Sequence, residues 1–121
     1  MILVDTSVWV DHFRVGDTRR VDLLEGNAVV MHPFIVGEIA CGSLADRGFT
    51  LDLLQHLPMA AVAKSAEVLG YIERHQLHGK GIGYVDVHLL TSAALADTKL
   101  WTRDKRLQAV ARVIGCAVPE A

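Results

Sequence analysis

The sequence predicts an α/β domain built on a mainly parallel sheet with helices over both faces. Ile2, Leu3 and Val4 form a continuous apolar run, the pattern of a strand buried on both sides. Two later segments, residues 34–44 and 84–96, are apolar on nearly every side, so each must be a buried helix. Strand and helix signals alternate with short connections, and parallel neighbours need such right-handed crossovers. The 121 residues fit a single domain, 1–121, large enough to bury roughly two thirds of its unfolded surface.

In order, the first strand stops at Asp5, and Thr6-Ser7-Val8-Trp9 leads into a short helix. Asp, Thr and Ser favour helix N-caps, yet an acid at the carboxyl end of a central strand also points to where open parallel sheets bind ligands. Residues 20–24 read as a helical turn or two, and residues 28–31 as a second buried strand. Pro33 opens the first apolar helix, in which Glu38 is the only charge and needs a partner if buried. Residues 51–57 are amphipathic, Pro58 ends them, and a short third strand is expected at 59–62. Ser65 is positioned to cap a helix reaching Leu77, with Val68, Leu69 and Ile72 at helical spacing. The glycines at 79, 81 and 83 lack P-loop spacing and its following Lys-Ser or Lys-Thr, so no mononucleotide site is expected. Asp86 is the only acid of the second apolar helix, in its first turn, and His88 reads as a satisfied structural histidine. Residues 99–102 form the next strand, Asp104 stands before a basic helix at 105–113, and residues 114–118 close the sheet.

Cys41 and Cys116 lack any CxxC spacing and read as small buried hydrophobes rather than a disulfide or a zinc knuckle. No apolar run approaches the roughly 18 residues of a membrane span, and the N-terminal run holds an acid, so a cytoplasmic protein is expected. The formal charge of −2 sits poorly with phosphate binding. If a cation neutralises four of the 14 acids, however, 12 bases face the remaining 10. The bases bunch at Arg14, Arg19 and Arg20 and at Arg103, Lys105, Arg106 and Arg112, either as solvated faces or as a basic footprint.

Parallel topology brings four of the acids to one edge. Asp5 and Asp104 follow strands, Asp86 opens a helix that starts at the same edge, and Glu38 lies about 7.5 Å down another. Four carboxylates in apolar surroundings repel one another unless a cation neutralises them. All-oxygen ligation favours Mg²⁺ or Mn²⁺, and the six histidines show no zinc-type spacing.

Val4-Asp5-Thr6-Ser7-Val8-Trp9, the lone Glu38, Asp86 after Gly81-Ile82-Gly83-Tyr84-Val85, and Leu100-Trp101-Thr102-Arg103-Asp104 run along the whole chain in an order that resembles the PIN-domain ribonucleases, specifically VapC-type toxins of toxin–antitoxin pairs. The resemblance implies a three-layer α/β/α sandwich with strand order 3-2-1-4-5 and Mg²⁺-dependent RNA cleavage, with Mn²⁺ able to substitute. It implies Asp5, Glu38, Asp86 and Asp104 as the catalytic quartet, with Asp5, Asp86 and Asp104 on the metal and Thr6, Ser7 and Thr102 in support. RNA is expected on Arg103, Lys105 and Arg106. A homodimer through Val68, Leu69, Ile72 and the end of the 84–96 helix is expected, as is an antitoxin in a groove walled by Trp9, Val10, Phe13 and Phe34. Two departures from the family pattern stand out: Ser7 occupies a position where many relatives carry Asn, and no further acid follows Asp104 in its helix.

Three other readings compete. A haloacid-dehalogenase-type phosphatase also places an Asp after its first strand, but needs a second acid where this chain has Ser7. A receiver domain needs an acidic pair there as well. A catalytically silent protein-binding module would not need all four carboxylates intact.

Overall fold

The computed structural model describes residues 1–15 and 29–118. β1 (Ile2–Val4) is the middle strand and pairs in parallel on both sides. Ile2 and Leu3 face Val29 and Val30 of β2 (Val29–Val30), while Ile2, Leu3 and Val4 face Lys99, Leu100 and Trp101 of β3 (Lys99–Trp101). The sheet order is β2-β1-β3, and Leu3 and Val4 are fully buried within it. Six helices surround the sheet among the described residues: α1 (Thr6–Val15), α2 (Pro33–Ala40), α3 (Arg47–Gln55), α4 (Ser65–His75), α5 (Tyr84–Leu95) and α6 (Lys105–Val113).

The expectation of five strands meets three among the described residues. Where outer strands are expected there are single parallel bridges, Met31 to Met59 and Leu100 to Ala117. On the first edge, Met31 donates to the Pro58 carbonyl and accepts from the Ala60 amide, each at 2.7 Å. The chain then runs irregularly to Ser65, so no second ladder pair forms. Short edges of this kind expose few unpaired backbone groups for another chain to join. The turn expected at 20–24, Ala28, and the basic pair Arg19 and Arg20 lie outside the described residues.

α5 is buried through its middle, residues 87 to 93, as its sequence demands, while Tyr84 and Leu95 at its ends are exposed. α2 is not. Only Ile35 and Ile39 are buried in it, while Glu38 and Gly37 are exposed. Its apolar surplus is therefore a half-covered face, and Glu38 escapes the desolvation that all-round burial would impose. Cys116 is buried as expected, whereas Cys41 is exposed just beyond the end of α2. Ser65 is the first helical residue of α4 rather than its cap; Lys64 precedes it, and the Lys64 amide donates to Glu67 Oε1 at 2.8 Å.

Two histidines sit in the core. His32 caps α2: its Nδ1 accepts from the Phe34 amide at 3.0 Å. The ring proton is thereby placed on Nε2, which donates to Ser92 Oγ at 3.1 Å, and Ser92 Oγ in turn donates to the Ala61 carbonyl at 3.0 Å. Burial, with nearby His88, lowers the His32 pKa from 6.5 to about 4. His88 is also lowered by burial, and among the described residues its Nδ1 has no hydrogen-bond partner, against the expectation of a satisfied ring. Phe34 and Tyr84 instead enclose it, with ring centroids at 4.8 and 4.7 Å. Because native His32 holds its neutral form, the unfolded chain binds more protons below pH 6.5, and stability falls as pH falls from there towards 4. His32 alone should cost about 2 kcal/mol between pH 8 and pH 5. Urea midpoints at the two pH values check this. His32→Asn, which keeps an acceptor for the Phe34 amide, should flatten the dependence, and an equally steep wild-type-like slope in that variant would exclude His32 as its source.

Candidate active site

The site begins where β1 ends. The Asp5 amide donates to the Trp101 carbonyl at 2.9 Å, extending the β1/β3 pairing by one bond and setting Asp5 beside Thr102. Asp5 is 6% exposed, and its carboxylate does not cap α1. The backbone carbonyl of Asp5 takes the first helical amides, Val8 at 3.0 Å and Trp9 at 3.3 Å. The side chain instead receives two hydroxyls on one oxygen: Ser7 Oγ at 2.8 Å and Thr102 Oγ1 at 2.7 Å, both on Oδ2. Each hydroxyl has one proton, so the 3.3 Å approach of Ser7 Oγ to Thr102 Oγ1 is a contact between two donors already committed to Asp5. Both hydroxyls also accept backbone amides, Ser7 from Arg103 at 3.0 Å and Thr102 from Asp104 at 3.1 Å. Thr102 thus ties Asp5 to the Asp104 backbone.

The other three acids are held in the same one-oxygen way. Asp104 is the N-cap of α6, with Oδ1 accepting from the Leu107 amide at 3.0 Å. Asp86 Oδ2 accepts from the Gly83 amide at 2.9 Å at the start of α5. Glu38 Oε1 accepts from Thr6 Oγ1 at 2.7 Å, a bond from the first residue of α1 to α2. Among the described residues, the second oxygen of each carboxylate has no protein donor, and no Lys or Arg pairs with any of the four.

The four carboxylates lie within reach of one another's charge. Burial raises the Asp86 carboxyl above its ordinary range, and the charges of Asp5, Asp104 and Glu38 raise it further against the opposing Gly83 amide. The group is open: no three His, Cys, Asp or Glu side chains among the described residues stand close enough together to form a ready cation cage. The donor chemistry fits a hard divalent ion all the same, being all oxygen, uncompensated by protein cations and mutually repelling.

Around this group the three expected RNA contacts differ. Arg103 Nε turns to Asp11 Oδ2 of α1 at 3.5 Å, while Lys105 and Arg106 are exposed at the start of α6. Of the expected groove walls, Trp9 belongs to the core, its Nε1 donating to the Val4 carbonyl at 3.1 Å. Val10 and Phe13 are exposed, and Phe34 packs edge-on against His32 and His88. A cleft lined by Phe13, Arg14, Ser43, Leu44, Ala45 and Thr50 runs beside the exposed wall of α1. Sequence reasoning missed residues 43–50 as part of it, since no apolar periodicity marks that stretch and its charges, Asp46 and Arg47, form no motif. Arg47 organises the turn by donating to the Gly42 carbonyl at 3.0 Å and to the Ala40 carbonyl at the end of α2.

The PIN domain family matches residues 2–113. The chain is 46% identical over 121 residues to ribonuclease VapC32 of Mycobacterium tuberculosis, in strains CDC 1551 / Oshkosh and ATCC 25618 / H37Rv, covering 99% of this chain and 98% of that relative. Among solved structures it resembles a toxin-antitoxin complex from Klebsiella pneumoniae, at TM-score 0.75 and 18% identity over 98% of this chain and 97% of that one. It also resembles FitAcB from Neisseria gonorrhoeae, at TM-score 0.65 and 22% identity over 93% and 94%. With an acid at the end of the central strand, three more acids around it and a full-length ribonuclease relative, the chain belongs to the PIN-domain family, among its VapC-type ribonucleases.

Proposed function

We propose that the chain cleaves single-stranded RNA with the help of Mg²⁺ at the Asp5, Glu38, Asp86 and Asp104 group, as the toxin of a toxin–antitoxin pair. The observation that supports this most is the hold on each of the four carboxylates through a single oxygen, which leaves the other oxygen without a protein donor among the described residues. Asp5, Asp86 and Asp104 would hold the ion, with Glu38 at its side. A bound divalent ion supplies Lewis acidity and a water of lowered pKa. The residues of the chain do the positioning: Ser7 and Thr102 fix Oδ2 of Asp5 and leave Oδ1 for ligation, and Thr6 holds Glu38 on α2. Lys105 and Arg106 attract the phosphates, with Arg103 contributing less because Asp11 already answers its charge.

We also infer that the bridges at Met59 and Ala117 mark the outer strands of a 3-2-1-4-5 sheet in a three-layer sandwich. The homodimer proposed from the sequence keeps its surface in part: Leu69 and Leu95 are 57% and 61% exposed, whereas Val68 is buried and packs inward. The antitoxin is proposed to occupy the cleft beside α1.

Purified chain incubated with total RNA should cleave it with Mg²⁺ and not with chelator. Thr102→Val removes a donor to Asp5 and the acceptor for the Asp104 amide while keeping shape. Loss of such a supporting group costs about 10- to 100-fold in activity or metal affinity. Thr102→Ser should restore most of it. Cleavage indifferent to chelator, or a Thr102→Val variant as active as the wild type, would refute the arrangement.

A further inference from the structure

The loop at residues 78–83 carries an unassigned site. φ is positive at Gly79 (+69°) and Gly81 (+77°) and negative at the intervening Lys80 and following Ile82, an alternation found where successive amides converge on one side. Among the described residues, the amides of Gly81 and Ile82 donate to nothing, whereas the next, Gly83, is committed to Asp86. Over this turn lies a cation. A Cβ built on Gly81 would stand 2.8 Å from Arg106 Cδ, 3.0 Å from Nη1 and 3.3 Å from Nε, so the guanidinium occupies the space that a side chain at 81 would take. Lys80 is exposed beside it.

We propose that the free amides of Gly81 and Ile82, together with Arg106, seat one phosphodiester of the RNA next to the bond being cut. The inference rests on the ribonuclease reading above and deepens it by giving the substrate a backbone contact. Gly81 is two residues from Gly83, at most about 7 Å of chain, and Gly83 is bonded to Asp86. A phosphate in this seat therefore lies beside the carboxylate group without entering it. Two amides and a guanidinium give direction as well as charge, because a guanidinium presents planar donors and an amide a fixed one. The missing Cβ is what allows Arg106 and the backbone to share the same anion. Such a seat reads phosphate and not base, so it should hold RNA in register without contributing sequence preference.

The test measures binding of a labelled single-stranded oligoribonucleotide in chelator, where no cutting competes. Arg106→Ala should weaken binding about tenfold and reduce the slope of log K against log salt by about 0.7, the value for one lost contact to a single strand. Gly81→Ala alters no charge and should nevertheless weaken binding about as much, with the double variant little worse than either alone. Arg74→Ala, a basic residue exposed on α4, serves as the control and should bind like wild type. Because Gly81→Ala also strains a positive φ, the wild-type chain gives an independent reading: the Gly81 and Ile82 amide resonances should shift on adding RNA. Unmoved amides, or shifts produced by inorganic phosphate and not by RNA, would overturn the proposal. So would an Arg106→Ala loss no greater than that of Arg74→Ala. Cleavage by the same preparations in Mg²⁺ is scored separately, so that an inactive wild type refutes the catalytic reading while the amide shifts still decide this one.

Discussion

Asp5→Asn should abolish RNA cleavage, by at least about 10³-fold or 4 kcal/mol of transition-state stabilisation, and should leave the chain as stable as wild type in chelator. The asymmetry follows from how the side chain is held. An amide oxygen in place of Oδ2 still accepts from the Ser7 and Thr102 hydroxyls at 2.8 and 2.7 Å, so the local network survives. The charge is lost, and with it both a ligand and a repulsion felt by Asp86. The Asp86 carboxyl should therefore titrate lower in the variant, which carboxyl NMR resolves. A structural acid would behave in the opposite way. Activity above about 1% of wild type, or a melting temperature lower by more than about 5 °C, a shift on the order of 1 kcal/mol for a chain this size, would reassign Asp5 to the fold.

What the sequence made legible is what topology dictates. Ile2, Leu3 and Val4 announced a doubly buried strand, and parallel crossover rules then put Asp5, Asp86 and Asp104 at one edge before any contact was known. The site residues that hold one another were readable only in kind: that Thr6, Ser7 and Thr102 support the acids fits their position, but not which hydroxyl meets which oxygen. Asp104 illustrates why, since it serves as N-cap and stands in the acidic group with different oxygens available for each role. Other features could not be read at all. The apolar pattern of α2 predicts burial of Glu38, yet exposure is decided by what packs against a helix, and only Ile35 and Ile39 are fully covered. The glycine loop was unreadable for a related reason. Its chemistry lies in positive φ and in the approach of Arg106 from 25 positions along the chain, neither of which leaves a spacing pattern.

Expression of the chain alone should arrest growth of a host cell, with colony counts falling by orders of magnitude, and co-expression of its antitoxin should relieve the arrest. The informative variant is Phe13→Asp. Phe13 is 39% exposed and lines the cleft with Leu44 and Thr50, away from the hydroxyl and carboxylate bonds that fix the acidic group. Replacing it gives up a stacking contact with Trp9, ring centroids 6.0 Å apart, worth about 1 kcal/mol, and no hydrogen bond of the acidic group, so cleavage in vitro should stay within about twofold of wild type. A disordered inhibitor segment that folds into an apolar cleft depends heavily on a few apolar anchors, and a carboxylate buried beneath one costs several kcal/mol if unpaired. Loss of about 3 kcal/mol at that anchor is more than a hundredfold in affinity. Phe13→Asp should therefore remain toxic when the antitoxin is present, whereas Asp5→Asn should be harmless with or without it. Normal growth on strong expression of soluble, intact wild-type chain would count against the toxin role even where purified protein cuts RNA. Full relief of Phe13→Asp by the antitoxin would place the inhibitor elsewhere on the surface.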